Sequence, residues 1–397
     1  MKATKNLLSG AKTLVQKSPR DVVIVSALRT PFTKANKGGL AERAPEELLA
    51  SVLDSTVKRS GLDQSAIEDV LVGTVLQTLG GQKVSASAVK AVGFPISTTV
   101  NTINRQCASS AQAISYLAAS IQAGWIQAGI AAGVESMTFD YFPHRGIPTR
   151  FADSIKNSGV QEAQDVMVPM GITSESVAKK YGITREVQDQ FAKASHDKAH
   201  AAVVSGHFKH EIAPVGEVVA DDGVRANVSL EKLGSLKPVF AEDGVTTAGN
   251  SSQITDGASA VVLMSRQRAQ ELGMTPIGKF IGSVTAGVPA ALMGIGPALA
   301  VPKLLKAYDL EVKDIDVFEI NEAFASQSVY CMQQIAIPEE KLNPSGGAIA
   351  IGHPLGATGG RLAAAVLNNL RARNGELGVV SMCTSTGQGY AGLFVKE

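Results

Sequence analysis

Short apolar runs and longer amphipathic segments alternate along most of the chain. Runs at 21–27, 67–78 and 128–134 are rich enough in Val, Ile, Leu and Ala to predict buried strands. Between the first two runs, leucine and valine recur at helical spacing over Pro45–Arg59. Strands that alternate with helices in this way predict an α/β fold with a mostly parallel sheet covered by helices.

The segment Gln106–Val134 contains no Asp, Glu, Lys, Arg or His. Its helical part has no charged face, so we expect that helix to be buried on all sides. Three glutamines interrupt the segment, so we do not expect a membrane span. Cys107 stands at the start of the helix, where unpaired N–H groups and the helix dipole favour a thiolate.

The C-terminal part of the chain repeats the order of the first part. The matching segments are Ile277–Val284 with 21–27, Asp314–Ile320 with 67–75, and Gly378–Cys383 with 128–134. Asn343–Arg371 takes the place of the Cys107 segment and holds His353 in a glycine-rich turn before a second helix. Two such halves would bring the two turns together near a pseudo-twofold axis, at the carboxyl ends of strands.

Histidines and charges concentrate between the two sets of apolar runs, where helices are predicted at Ser174–Tyr181 and Arg185–Gly206. We therefore expect an inserted region there rather than a layer of the core. The predicted organisation is a basic N-terminal extension (1–20), an N-terminal half (21–137 and 255–276), an inserted loop domain (138–254) and a C-terminal half (277–397).

Composition and charge narrow the class of protein. The 397 residues carry a net charge of +1, so no electrostatic footprint predicts a nucleic-acid partner. Three scattered cysteines are too few for a disulfide framework, and without a recognisable signal peptide they indicate a reducing compartment. Residues 1–20 hold five basic and no acidic residues, which is typical of an organelle-targeting extension or a surface arm.

Four side chains at predicted strand ends or tight turns suggest a common chemistry. Cys107 and Cys383 offer thiols, and Asn321 offers an amide that could position a water or a carbonyl. His353 could take a proton from a cysteine or hydrogen-bond an oxyanion. The set suits acyl transfer through a thioester better than redox or metal chemistry. A lone cysteine or histidine among apolar residues is also commonly part of the core, so that alternative stays open.

Two other motifs could indicate nucleotide binding or metal binding, but the sequence around each argues against it. Gly387–Gly392 matches GxGxxG literally, but only five residues follow it, so no helix can receive a pyrophosphate and we do not expect NAD binding. His196 and His200 lie four apart on a predicted helix, with His207 and His210 nearby. No third ligand is obvious, so we expect a solvated helix face and no metal.

The four motifs resemble those of the thiolase family. NRQCASS around Cys107 resembles its nucleophile motif, and NEAF from Asn321 resembles its asparagine motif. GGAIAIGHPLGATGGR around His353 and VSMCTSTGQG around Cys383 resemble its histidine and second-cysteine motifs. The resemblance runs from about Asp21 to the end of the chain. It implies two pseudo-repeated α/β halves stacked in α-β-α-β-α layers with an inserted loop domain, assembled as homodimers or homotetramers.

The resemblance also implies a role for each residue. Cys107 attacks the carbonyl of 3-oxoacyl-CoA and becomes an acyl-thioester. His353 activates Cys107 and forms an oxyanion hole together with a water held by Asn321. Cys383 protonates the acetyl-CoA enolate, and the N–H groups of Cys107 and Ser385 form a second oxyanion hole.

Coenzyme A enters as a substrate, with no separate cofactor and no metal. By position in the family motifs, the expected contacts are Arg225, Leu236, Ala248 and Ser252 for coenzyme A, and Met170 and Met293 for the acyl pocket. The segment from Pro169 resembles degradative 3-ketoacyl-CoA thiolases of peroxisomes. The expected reaction is therefore thiolytic cleavage in fatty-acid β-oxidation, with a biosynthetic acetoacetyl-CoA thiolase as the alternative.

Ser385 departs from the pattern, because family members usually have glycine there. Its Cβ could crowd the oxyanion hole, and loss of one such donor costs about 2.7–4 kcal/mol of transition-state stabilisation. Weakened or substrate-shifted activity is thus one expectation, and an acyl-CoA-binding paralogue without turnover is its extreme form. A condensing synthase of the related ketoacyl-synthase group would lack Cys383, so both cysteines together argue against it.

The expected compartment is the peroxisome, with the mitochondrion or cytosol as alternatives. The chain ends Phe-Val-Lys-Glu, which is not the C-terminal tripeptide for peroxisomal import. Residues 1–20 also lack a clear N-terminal peroxisomal nonapeptide.

Overall fold

A computed structural model describes residues 10–142 and 150–397. Its strands are β1 (Val22–Arg29), β2 (Thr33–Lys34), β3 (Asp69–Gly73), β4 (Thr99–Ile103), β5 (Ala128–Ser136), β6 (Thr255–Ser265), β7 (Gly278–Gly287), β8 (Val317–Ile320), β9 (Leu377–Thr384) and β10 (Gln388–Lys396). Its helices are α1 (Ala11–Leu14), α2 (Pro45–Ser60), α3 (Gln82–Ala91), α4 (Ser109–Gln122), α5 (Met137–Asp140), α6 (Asp153–Lys156), α7 (Gln161–Asp165), α8 (Met170–Tyr181), α9 (Arg185–Val204), α10 (Leu230–Gly234), α11 (Arg266–Glu271), α12 (Gly296–Ala307), α13 (Ala325–Ile335), α14 (Ala348–Ile351) and α15 (Thr358–Arg373).

The order of the strands shows the internal repeat. The sheet runs β4-β3-β5-β6-β1-β7-β10-β9-β8, so the second half mirrors the first with β8, β9, β10 and β7 in the places of β3, β5, β6 and β1. The halves join where Val22–Ile24 of β1 pairs with β7. Among the residues that the structure describes, the counterpart of β4 is one parallel bridge between Phe318 of β8 and Leu342.

The expectation of a mostly parallel sheet was wrong, because the sheet is mixed. The β3–β4, β3–β5 and β8–β9 pairs are parallel, whereas β5–β6, β9–β10, β1–β6 and β1–β7 are antiparallel. The three-residue turn between β9 and β10 allows only antiparallel pairing. In the first half, β5 and β6 pair in the same way, and residues 137–254 stand where that turn would be.

Three hydrophobic cores separate the layers. Leu117 of α4 and Leu362 of α15 belong to a core that lies between the two half-sheets. Leu48 of α2 and residues of α3 fill a second core on the other face of the first half-sheet. Leu304 of α12 and Ile335 of α13 fill a third on the other face of the second. This arrangement confirms the predicted layered α/β fold.

The helix after Cys107 differs from the expectation of burial on all sides. Most of α4 is buried between the half-sheets, but Tyr116 and Ala119 form a narrow exposed stripe. In the described residues, the stretch Ala290–Ala307 is long and apolar enough to cross a membrane. Because 61% of it is buried within the fold, it has the character of a core helix.

Candidate active site

Cys107 lies in a strained turn that leads into α4. The helix begins at Ser109, two residues later than predicted, and Gln106 takes a left-handed conformation with φ 49°. Ser109 Oγ accepts a hydrogen bond from the Arg105 N–H (2.9 Å) and donates to the Gln106 carbonyl (2.6 Å). A non-glycine residue in this region of backbone space costs on the order of 1–3 kcal/mol, so the turn is held by its surroundings.

The Cys107 sulfur is a thiol at neutral pH, contrary to the thiolate expected from the sequence. Burial raises the pKa of Cys107 to about 12, and the nearby Glu135 carboxylate acts in the same direction. The residue as a whole is only partly buried, so a ligand can still approach it. A nucleophile of this kind needs a base close by.

His353 is the predicted base, and it lies on the segment that packs against the Cys107 segment. Burial, reinforced by the charge of Arg361, lowers the pKa of His353 to about 3, so the imidazole is neutral. Its Nδ1 lies 2.7 Å from the Thr358 hydroxyl, which itself donates to the Pro354 carbonyl. The network therefore assigns the ring proton to Nδ1 and the lone pair to Nε2. Asn321 Nδ2 lies 3.3 Å from that Nε2.

Cys383 lies near the end of β9, at the bottom of an apolar cluster. The cluster contains Met293 and Phe324, with Met170 packed against it, so the structure groups both predicted acyl-pocket methionines with this cysteine. Burial raises the pKa of Cys383 well above its ordinary value, and negative charge on Cys107 or Cys331 would raise it further. The two predicted catalytic sulfurs are thus close enough to interact electrostatically.

The segments that carry Cys107 and His353 pack directly against each other. Ser110 Oγ accepts a hydrogen bond from the Gly360 N–H at 2.9 Å. Any side chain on Gly133 would collide with the Gly356 carbonyl and with Ser110, so glycine is needed where the segments cross. The two halves of the chain therefore meet at the site, as the repeat predicts.

Glu135, at the end of β5, was missed by the sequence analysis. Its carboxylate accepts hydrogen bonds from the N–H groups of Val75 (3.0 Å) and Leu76 (3.0 Å) in the first half and Gly356 (2.9 Å) in the second. Burial raises its pKa to about 7 despite these bonds. The sequence does offer one signal, because Glu135 is the first charged residue after the uncharged stretch Gln106–Val134.

Ser385 lies in the turn Ser385–Gly387 between β9 and β10. Gly387 takes the left-handed conformation there (φ 76°), whereas Ser385 keeps a negative φ, so the backbone does not require glycine at 385. Arg105, next to the Cys107 turn, donates to Gln388 Oε1 at 2.6 Å and so ties the two turns together. Weakened activity due to Ser385 stays a prediction.

The residues expected to contact coenzyme A lie on loops around the Asn321 segment. Ser252 donates its N–H to the Ala323 carbonyl (3.0 Å), and Ala248 is exposed four residues earlier. Leu236 packs beside this loop, since a side chain on Gly249 would come within 2.6 Å of Leu236 Cδ1. These three residues are thus brought together.

Arg225 lies on a different loop, with its side chain exposed. Its N–H donates to His196 Nδ1 at 3.3 Å, and its charge, together with the larger effect of burial, lowers the pKa of His196 to about 4. His196 is therefore a buried loop contact and not part of a solvated face. Residues 10–142 and 150–397 contain no cluster of three His, Cys, Asp or Glu side chains able to hold a metal.

Family models match nearly the whole chain. The model described as "Thiolase, N-terminal domain" matches residues 22–267, and "Thiolase, C-terminal domain" matches residues 274–396.

Individual proteins match along their full length. The chain is 46% identical to the peroxisomal 3-ketoacyl-CoA thiolase of Yarrowia lipolytica over 406 residues, which cover 99% of this chain and 97% of the relative. The crystal structure of the dimeric peroxisomal thiolase of Saccharomyces cerevisiae is 41% identical, with a TM-score of 0.93 over 98% of this chain and 100% of that chain. Human mitochondrial 3-ketoacyl-CoA thiolase in complex with CoA is 33% identical, with a TM-score of 0.86 over 96% of this chain and 98% of that chain.

Proposed function

The chain belongs to the thiolase family, and on that premise we propose that Cys107, His353, Cys383 and Asn321 carry out its reaction. That reaction is the coenzyme A-dependent cleavage of 3-oxoacyl-CoA to acetyl-CoA and a shortened acyl-CoA, in peroxisomal fatty-acid β-oxidation. The observation that supports the proposed roles is the packing of the Cys107 segment from the first half against the segments that carry His353 and Cys383 in the second half.

Cleavage begins with the transfer of the Cys107 thiol proton to Nε2 of His353. The resulting thiolate attacks the C3 carbonyl of the substrate, so that a carbon–sulfur bond forms and the carbonyl oxygen becomes an oxyanion. Asn321 is positioned to hold a water against that oxyanion. Among the described residues its Oδ1 atom has no protein partner, which leaves an acceptor for such a water.

The oxyanion then collapses and breaks the bond between C2 and C3. The electron pair leaves as the acetyl-CoA enolate, which takes the proton from Cys383 to give acetyl-CoA. Cys107 now carries the acyl group as a thioester. His353 returns its proton to the Cys383 thiolate. A second coenzyme A then gives its thiol proton to His353 and attacks the thioester, and Cys107 takes that proton from His353 as it leaves.

Coenzyme A is a substrate of this cycle, which requires no further cofactor. We infer that Leu236, Ala248 and Ser252 border the path of its pantetheine arm, because that loop is bonded to the Asn321 segment. Arg225 would meet the nucleotide end from its neighbouring loop. Met170 and Met293 would enclose the acyl chain beside Cys383.

The domain boundaries follow the same scheme. We treat 21–137 with 255–276 and 277–397 as the two catalytic halves. Residues 138–254 are then the loop domain that supplies the coenzyme A contacts, and 1–20 are an extension outside the catalytic core.

We expect purified protein to cleave both acetoacetyl-CoA and a long-chain 3-oxoacyl-CoA when coenzyme A is added. Loss of absorbance from the magnesium complex of the 3-oxoacyl thioester measures the rate. The similarity to peroxisomal relatives favours this degradative function over the biosynthetic one, which predicts turnover of acetoacetyl-CoA alone. Saturable binding of acyl-CoA without thioester loss would instead identify a paralogue that has lost turnover.

The protein is a homodimer, and we propose that β4 lies at the dimer interface. β4 is the terminal strand of the sheet, with one edge left unpaired within the described residues. Two large apolar side chains near it are almost fully solvent-exposed in the single chain, Leu79 at 94% and Ile96 at 97%. Leu79 also holds an unfavourable left-handed conformation (φ 52°). An exposed edge with such side chains is a site for association with a second copy.

Leu79→Asp is expected to weaken this dimer by about 10²- to 10⁴-fold in Kd, because burying a leucine contributes about 1.5–3 kcal/mol and a twofold interface contains it twice. Analytical ultracentrifugation over a dilution series measures the change. Aspartate tolerates the left-handed conformation better than leucine, so the monomer should not lose thermal stability. Val204→Asp, an equivalent change of an exposed side chain on α9, is the control and should leave the dimer intact. An unchanged dimer in L79D would contradict the placement of β4.

A further inference from the structure

Gln327, on α13, makes a direct contact with a catalytic sulfur and has no role in the reaction as described above. Cys383 Sγ donates a hydrogen bond to Gln327 Oε1 at 3.0 Å. The glutamine is 1% exposed and Cys383 is fully buried, so water does not compete for this bond. It is therefore a fixed feature of the site.

The surrounding hydrogen bonds determine which end of the Gln327 amide faces the sulfur. Its Nε2 donates to the Ser328 hydroxyl (2.8 Å) and to the backbone carbonyl of Asn321 (3.3 Å). The Ser328 hydroxyl gives its own proton to the Phe324 carbonyl (3.0 Å), so it acts as an acceptor toward Gln327. Both partners of Nε2 thus accept, and only the oxygen can face Cys383.

The position of Gln327 is fixed as well as its orientation. A methyl group placed on Gly294 would come within 2.6 Å of Gln327 Cβ, so α13 packs closely against the chain at that glycine. The amide therefore links the Asn321 backbone to the Cys383 thiol through one rigid side chain. Displacement by even 1 Å in such a site can cost about a hundredfold in rate.

Resting on the proposed function, we propose that Gln327 is the positioning residue for Cys383, whose amide oxygen holds the thiol proton in place until the acetyl-CoA enolate forms. The enolate is a stronger acceptor than the amide, so the S–H bond breaks and a C–H bond forms at C2 of acetyl-CoA. Gln327 keeps both of its own protons throughout. An acceptor-only contact favours the thiol over the thiolate, so Cys383 retains its proton until that step.

Two partial reactions separate this role from a general structural one. Exchange of solvent deuterium into the methyl group of acetyl-CoA requires proton transfer at Cys383. Exchange of labelled coenzyme A into acetyl-CoA requires only the acyl-thioester on Cys107. Gln327→Met keeps the size of the side chain and removes the strong acceptor. It is expected to slow deuterium exchange by about 10- to 100-fold while coenzyme A exchange stays within about twofold.

The matched control is Gln333→Met, the same change at an exposed position of α13, which should leave both reactions unchanged. Cys383→Ala should remove deuterium exchange alone. Equal losses in both reactions for Q327M, or no loss in either, would overturn the proposal. Wild-type protein inactive in both would overturn the proposed function and this assignment with it.

Should Q327M fail to fold, Gln327→Glu decides the question. A carboxylate beside Cys383 keeps an oxygen acceptor but raises the pKa of the thiol further. The pH at which deuterium exchange is half-maximal should then move upward, while the pH profile of coenzyme A exchange stays in place. An unmoved deuterium-exchange profile would overturn the proposal.

Discussion

Cys107→Ala is expected to lower kcat/KM for thiolysis by about 10⁴- to 10⁶-fold, the range found when an enzyme loses its nucleophile. We expect no other thiol to take over, because burial keeps Cys383 protonated and Cys331 lies in the core of the second half. Cleavage of acetoacetyl-CoA measures the rate. Protein can also be incubated with acetyl-CoA, quenched and digested. Mass spectrometry should then show an acetyl adduct on the Cys107 peptide of the wild type and no adduct on that peptide of the variant.

Cys331→Ala is the matched control for this experiment. Cys331 is buried in the core of the second half and donates only to the Gly294 carbonyl (3.4 Å), so its loss should leave the adduct and most of the activity in place. A Cys107→Ala protein that still cleaved its substrate at the wild-type rate would exclude the acyl-thioester mechanism.

His353→Gln is expected to lower kcat by about 10²- to 10⁴-fold, the usual contribution of a general base. The glutamine amide can hydrogen-bond Asn321 and Thr358, but it cannot accept the Cys107 proton. With a thiol pKa of about 12, Cys107 would then be almost entirely protonated at pH 7. Single-turnover formation of the acetyl adduct isolates this step from product release. Adduct formation at the wild-type rate would show that another group takes the proton.

The dependence of stability on pH gives an independent check on the neutral imidazole. The pKa of His353 falls from 6.5 in the unfolded chain to about 3 in the folded protein, so the unfolded state binds the proton first. Above pH 6.5, the neutral imidazole makes its full contribution to the free energy of unfolding. This contribution decreases as the pH falls, by up to about 1.4 kcal/mol per pH unit. Denaturant unfolding should show that the free energy of unfolding falls between pH 7 and pH 5. The fall should be larger in the wild type than in H353Q by roughly 2 kcal/mol.

The protonation of Cys107 shows where local sequence features mislead. The position before α4 predicts a thiolate, because a helix N-terminus stabilises negative charge by about 0.3–1 kcal/mol. Burial opposes it with a rise in pKa from 9.0 to about 12, roughly 4 kcal/mol. The second half packs against the Cys107 segment through residues more than 200 positions away, such as Gly360, and the helix end alone does not reveal that packing.

The strand order shows a similar limit. Apolar runs located β1, β5 and β9 to within about two residues, because buried strands need continuous hydrophobic sequence. They did not predict the direction of pairing, which depends on the connections. Gly387–Gly392 matches a nucleotide-binding motif in sequence, but most of that segment belongs to strand β10. There, glycine is required by contact, since a side chain on Gly389 would collide with Gly296.

Within the site, the proposed catalytic residues lie in recognisable motifs, whereas the residues that support them do not. Cys107, His353, Asn321 and Cys383 were identified from motifs, and the fold brings their segments together. Gln327 and Glu135 carry no motif of their own. Glu135 becomes apparent from its hydrogen bonds to both halves, and Gln327 from its contact with the Cys383 sulfur.

The unequal ends of the sheet limit how the protein can polymerise. Within residues 10–142 and 150–397, the first half ends in a full strand, β4, whereas the second half ends at β8, beyond which lies the Phe318–Leu342 bridge. A protein with an unpaired strand edge at both ends of its sheet could add further copies indefinitely and form fibrils. If the edge of β4 is the one that associates, two molecules paired edge to edge about a twofold axis use it up, and growth stops at the dimer.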